Sequence, residues 1–98
     1  MDGDELDQVV RAVSHGTRRQ ILRMCADGFV SAGDIAAHID LALSSLSEHL
    51  KVLRKNELVV LERDGTRWLY ATDTARLSLV LEALRSDLPT DQGNKELP

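Results

Sequence analysis

The stretch from Leu41 to Tyr70, LALSSLSEHLKVLRKNELVVLERDGTRWLY, decides the fold. In its first half Leu46, Leu50 and Leu53 recur at helical spacing and share one face, which Val52 widens. Hydroxyls crowd the start (Ser44, Ser45, Ser47) and cations the end (Lys51, Arg54, Lys55). The second half holds two β-rich runs, Leu58 to Arg63 and Thr66 to Thr72, around Asp64-Gly65, the composition of a two-residue hairpin loop. A helix from about Leu43 to Asn56 followed by a charged hairpin has the layout of a helix for a DNA major groove with a phosphate-touching wing beside it.

The flanks fit the same plan. Leu6, Val9, Val10 and Val13 form a helical stripe that breaks at Ser14-His15-Gly16. Thr17 to Ala26 predicts a second helix, with Ile21, Leu22 and Cys25 inward and Arg18 and Arg19 outward. Asp27-Gly28 stops it, the glycine serving as a left-handed cap. Ser31 to Asp34 resembles a capping box that opens a third helix, about Ala32 to Ile39, burying Ile35, Ala36 and Ile39. Asp40-Leu41-Ala42 is the tight turn of a helix-turn-helix. Beyond the hairpin, Asp73 or Thr72 caps a fifth helix carrying Leu77, Val80, Leu81, Leu84 and Leu88, and Pro89 ends it. The expected fold is mainly α with a small β-hairpin (α+β): four helices, two strands and a fifth helix, a winged helix-turn-helix over residues 1–88. Residues 89–98 are polar and expected to be a disordered tail.

Composition sets the bounds. Ninety-eight residues, 43% apolar and 29% charged, suit one small globular domain. With one tryptophan, one tyrosine and one phenylalanine, the core has to be aliphatic. A single cysteine excludes an internal disulfide framework. No apolar run approaches the ~20 residues of a membrane span. The start, MDGDELDQ, lacks the basic region and apolar core of a signal peptide, so a cytoplasmic protein is expected. The net charge of −4 is unusual for a nucleic-acid binder, but the acids gather at the two ends. Residues 41–70 hold five cations (Lys51, Arg54, Lys55, Arg63, Arg67) against four anions (Glu48, Glu57, Glu62, Asp64) and are the most cationic part.

The candidate DNA-binding residues follow from this layout. Ser44, Ser45, Ser47, Glu48 and His49 lie where a recognition helix meets base edges. Lys51 and Arg54 lie where phosphates flank the groove, and Arg63 and Arg67 beside the hairpin turn, within reach of a minor groove or its phosphates. The plainer alternatives are that Ser44 and Ser45 only cap the helix and that the arginines decorate a solvated tip. Trp68 and Tyr70 stand two apart on one strand and share a face, expected to pack under the hairpin. The terminal helices carry more apolar surface than one small core needs. Leu6, Val9, Val10, Leu77, Val80, Leu81 and Leu84 are therefore expected to form a homodimer interface, presenting two recognition helices to a palindromic double-stranded operator.

Several blocks, in order, resemble the ArsR/SmtB family of bacterial winged-helix repressors. His15-Gly16-Thr17-Arg18-Arg19-Gln20-Ile21-Leu22 is similar to the family's HPTRxxIL, with Gly16 in place of proline. Leu41 to Leu53 and Asn56 to Val59 are similar to LSQSTVSHHLKVLxxAGLV, with Ala42-Leu43 for Ser-Gln and Glu48 for a common basic or amide residue. Arg63-Asp64-Gly65-Thr66-Arg67-Trp68-Leu69-Tyr70 is similar to R-x-G-R-x-x-x-Y of the wing, with Thr66 at the second arginine position and Arg67 one place later. The resemblance covers about residues 6 to 88. It implies a dimer built from the terminal helices and a repressor that releases DNA on a signal.

Many members sense metal or arsenic ions through a Cys-x-Cys pair in the third helix or through Asp and His ligands on the last helix. Here the third helix, SAGDIAAHI, has no cysteine, and Arg76 stands where a histidine would be needed. His15, His38 and His49 lack ligand spacing, so no metal and no cofactor is expected, and the effector is unknown. Cys25 is either an inert core thiol or a lone sensor. No nucleophile–base pair or phosphate-binding glycine loop marks an enzyme. The alternative function is a winged-helix module that binds protein rather than DNA, motivated by the acidic charge, Leu43 and Glu48.

Overall fold

The computed structural model describes residues 1–90; the expected tail lies, from residue 91 onward, outside the described residues. The chain runs through α1 (Gly3–Val13), α2 (Gly16–Met24), β1 (Val30–Ser31), α3 (Ala32–Ile39), α4 (Leu43–Lys55), β2 (Val59–Asp64), β3 (Arg67–Thr72) and α5 (Thr74–Asp87). The five helices stand as expected, but the element order does not. A short strand, β1, intervenes between α2 and α3, and the hairpin is part of an antiparallel three-stranded sheet ordered β1-β3-β2. Two residues are too few to show alternation, and Ser31 already serves as the N-cap of α3, its hydroxyl accepting from the Asp34 N–H at 3.1 Å. Val30 and Ser31 are strand only because β3 lies alongside, Val30 opposite Tyr70 and Ser31 opposite Leu69.

The wing register also differs from the expected one. The loop is Gly65-Thr66 rather than Asp64-Gly65, and Asp64 pairs with Arg67. Gly65 alone takes a positive φ, 64°, which suits glycine at the first central position of a type II′ turn. The shift re-pairs the hairpin: Arg63 now faces Trp68, and Leu61 faces Tyr70. Helix α2 is shorter than expected. It ends at Met24 with Cys25 as its cap, and Gly28, φ 150°, lies in the loop beyond.

The core is aliphatic. Val9, Ile21, Cys25, Ile35, Leu46, Leu53 and Leu58 are fully buried, drawn from α1 to α4 and the start of the wing. Two polar tethers fix the remaining elements to it. Thr72 is buried; its hydroxyl donates to the Leu22 carbonyl at 2.8 Å and its N–H to the Cys25 carbonyl at 2.9 Å, so the end of β3 satisfies orphan carbonyls at the end of α2. That use leaves Asp73 as the cap of α5, accepting from the Arg76 N–H at 3.0 Å. Arg76 supplies the second tether. Its Nη2 lies 2.9 Å from Glu5 Oε2 on α1 and 3.7 Å from Glu57 Oε2, while its Nε donates to the Asn56 carbonyl at 3.2 Å. One guanidinium thus joins α1, the end of α4 and α5.

Helix α4 ends with Glu57 in the left-handed region, φ 60°, where the Leu58 N–H reaches back to the Leu53 carbonyl at 2.9 Å. A non-glycine residue there costs about 1–2 kcal/mol, and the exposed pairing of Glu57 with Arg76 returns little of it. Glu57→Gly is expected to raise stability by about 1 kcal/mol, read as a higher Tm in thermal denaturation. A lower Tm would mean that the carboxylate outweighs the backbone relief.

Candidate nucleic-acid interface

Helix α3, the turn at Asp40 and helix α4 form the helix-turn-helix. Asp40 closes the turn in the left-handed conformation, φ 54°, with the Leu41 N–H bonded to the Ala36 carbonyl at 3.0 Å. Leu46, Leu50 and Leu53 bury the inner face of α4. The opposite face presents Ser44, Ser45, Ser47, Glu48, Lys51 and Arg54 to solvent, and the wing presents Arg63 and Arg67. Ser44 and Ser45 do not cap the helix. The N-cap is Ala42, which offers no side-chain hydrogen bond, so the first amides of α4 and the serine hydroxyls together face outward.

His49 is placed differently. It is half-buried toward α2, where its Nδ1 accepts from Arg18 Nε at 3.2 Å and its ring lies 6.4 Å from that of His15. Burial, then Arg18 and His15, hold its pKa below the ordinary histidine value. The neutral ring braces α4 against α2 rather than joining the exposed serines.

Between α4 and β3 runs a cleft lined by Ser47, Leu50, Lys51, Arg54, Lys55 and Tyr70. Three cations converge there. Burial pushes the Tyr70 phenol up, against an opposing pull from Arg54, so it remains a neutral donor. Sequence reasoning assigned Tyr70 to packing, and it does pack against the core. Its place beside the α4 cations depends on the register between strands and on how the sheet docks on the helix, neither of which leaves a local signal. Trp68 was expected to pack likewise, yet it is 44% exposed at the wing, with the Arg63 guanidinium 4.6 Å above its ring. That stack and a 3.5 Å contact from Arg63 Nη2 to the Gly65 carbonyl hold the arginine over the tip.

The expected interface residues divide. Leu6, Val9 and Val80 are buried in the chain's own core, and Val10, Leu77 and Leu84 pack partly against it. Leu81 is 64% exposed, and so is its neighbour Leu79, at 62%. Among the described residues no three His, Cys, Asp or Glu side chains cluster as metal ligands would. No helix among them is long and apolar enough to cross a membrane.

Known proteins share this arrangement. A family model described as a helix-turn-helix domain matches residues 13–62. The chain is 36% identical over 72 residues to the transcriptional repressor SdpR of Bacillus subtilis, covering 74% of this chain and 80% of that protein. It is 37% identical over 82 residues to the HTH-type transcriptional regulator Rv2034 of Mycobacterium tuberculosis, covering 84% and 73%. Its structure is similar to the homodimeric winged helix-turn-helix DNA-binding domain of Mb0332 from Mycobacterium bovis, a possible ArsR-family regulator, with a TM-score of 0.71, 30% identity, and 89% of this chain and 83% of that one covered.

Cys25 stands apart from the exposed face. It is fully buried at the end of α2, and burial pushes its thiol up to about 11. A thiol of that kind is neither ionised nor accessible at neutral pH. In the native protein it is expected to resist a thiol-specific reagent and to react at once after denaturation. Rapid native labelling would revive the sensor reading.

Proposed function

This chain belongs to the ArsR/SmtB family of winged-helix DNA-binding transcriptional regulators, and on that premise we propose that it acts as a dimeric, sequence-specific repressor whose α4 enters the major groove. The observation that carries this reading is the exposed α4 face, continuous through the cationic cleft with the wing. The uncapped N-terminus of α4 offers amides to a backbone phosphate, while Ser44, Ser45, Ser47 and Glu48 meet base edges. Lys51, Arg54 and Lys55 flank the groove, Tyr70 adds a neutral donor, and Arg63 and Arg67 follow the backbone along the wing.

The acidic total does not oppose this. Asp2, Asp4, Glu5 and Glu57 gather around Arg76 at the C-terminal end of α4. A helix of 13 residues is about 20 Å long, more than twice the ~8 Å screening length in physiological salt. The N-terminal turns of α4 therefore feel little of their charge, whereas Lys55 lines the acidic pocket itself, and Lys51 and Arg54 face the cleft toward β3 instead.

A second copy completes the proposal. Exposed Leu81 shares one face of α5 with the partly buried Leu77 and Leu84, and a two-fold pair through α1 and α5 would cover that strip and set two recognition helices on one palindrome. With its own core filled by Leu6, Val9 and Val80, the chain leaves Leu81 as the most exposed apolar group of that strip. Nothing in this reading requires a metal: Arg76, a cation, holds the position on α5 where metal-sensing relatives carry a ligand.

Two experiments test the reading. Lys51→Ala and Arg54→Ala are each expected to weaken binding to all DNA sequences alike and to lower the slope of log K against log salt by about 1. An unchanged slope would remove α4 from the phosphates. Leu81→Asp is expected to give a monomer in sedimentation and to abolish binding to the palindromic operator; a persisting dimer would rule out the α5 surface.

A further inference from the structure

Leu43 is the first residue of α4 and is 59% exposed, an apolar side chain at the one end of the helix where no side chain caps the backbone. Its neighbours Ser44, Ser45, Ser47 and Glu48 are all exposed and polar, while Leu46, Leu50 and Leu53 are buried. The leucine rims a shallow hollow with Ala32, Gly33, Trp68 and Arg67, yet more than half of it remains open to solvent. The cationic cleft begins about one helical turn further along α4, at Ser47. Packing within the chain thus does not account for a large aliphatic group at this point.

We propose that Leu43 is a specificity-determining residue that reads the 5-methyl group of a thymine in each operator half-site. The inference rests on the DNA-binding reading above and deepens it. The chemistry leaves few other partners. The floor of the major groove is lined by hydrogen-bond donors and acceptors, and the thymine methyl is its apolar feature. A leucine cannot hydrogen-bond to an adenine, guanine or cytosine edge, so against those bases it leaves their polar groups desolvated and unpaired. Against a thymine it removes two apolar surfaces from water. The adjoining serines are tolerant partners that donate or accept, so the leucine supplies discrimination that they do not. The lysines and arginines of the cleft fix the helix in the groove without regard to sequence, which holds the leucine at a constant base step.

The test begins with the full-length protein and an operator selected from random duplex DNA by its binding. Each thymidine of that operator is then replaced, one symmetric pair at a time, by deoxyuridine, which lacks only the methyl. Binding is measured by fluorescence anisotropy at fixed salt. One pair of positions is expected to show a loss of about fourfold per methyl removed. In Leu43→Ala the same operator is bound more weakly, and the thymidine and deoxyuridine versions become equivalent at that pair. Specific binding with no deoxyuridine-sensitive pair overturns the proposal. So does sensitivity of the same size in Leu43→Ala, or an unaltered affinity in that variant, which would leave the side chain for a protein partner. Failure to select any operator would instead overturn the DNA-binding reading itself.

Discussion

The Arg76 guanidinium is the constraint on which the arrangement of this protein depends. Its side chain is 13% exposed and lies where the start of α1, the end of α4 and the start of α5 converge. A largely buried guanidinium is tolerable only when its donors are used. Here they go to Glu5, to Glu57 and to the carbonyl of Asn56 at the end of α4. The same contacts neutralise the charge, satisfy a terminal carbonyl of the recognition helix and orient it against α1 and α5, the helices proposed to form the dimer. A small domain has limited apolar area to spend on fixing helix angles. One polyvalent cation at the junction does what several more leucines would otherwise have to do.

Charge is consequently segregated around α4. Its C-terminal end is enclosed by acids that Arg76 draws together, and its N-terminal end is left without anionic caps. Lys51 and Arg54 line the cleft toward β3, apart from the acidic pocket, which is how a protein of net charge −4 still presents cations to a polyanion. The relevant quantity is the field at that cleft, and it is set by side chains within a screening length of it. Different faces of the helix thus carry separate duties, one structural and one directed outward.

The wing illustrates a finer dependence. Moving the turn by one residue, from Asp64-Gly65 to Gly65-Thr66, changes each cross-strand partner along the hairpin. Arg63 comes to face Trp68 and is held above its ring, while Tyr70 faces Leu61 and reaches the cleft beside Arg54. Two aromatic residues on one face of one strand therefore serve different ends: Tyr70 stays where the sheet meets the helix, and Trp68 passes beyond it into solvent. Distance from the body of the domain, rather than residue type, separates them.

The sequence alone determined the five helices, the helix-turn-helix and the hairpin, because each has a local signature. Apolar spacing marks the helix faces, Ser31 and the Asp73 site mark helix starts, and Asp64-Gly65 marks a turn to within one residue. It also located the exposed cations of α4 and the wing, since charged side chains on an amphipathic helix have one face to occupy. The tertiary structure decided what depends on partners distant in the chain. Strand β1 exists through pairing with β3, about forty residues away; Thr72 was given to the core by carbonyls on α2. His49 was engaged by Arg18 on α2, and Leu6, Val9 and Val80 were drawn inward by one core while Leu81 was left outside. Periodicity tells which side of a helix is apolar, but only the packed neighbours tell how much of that side they can cover.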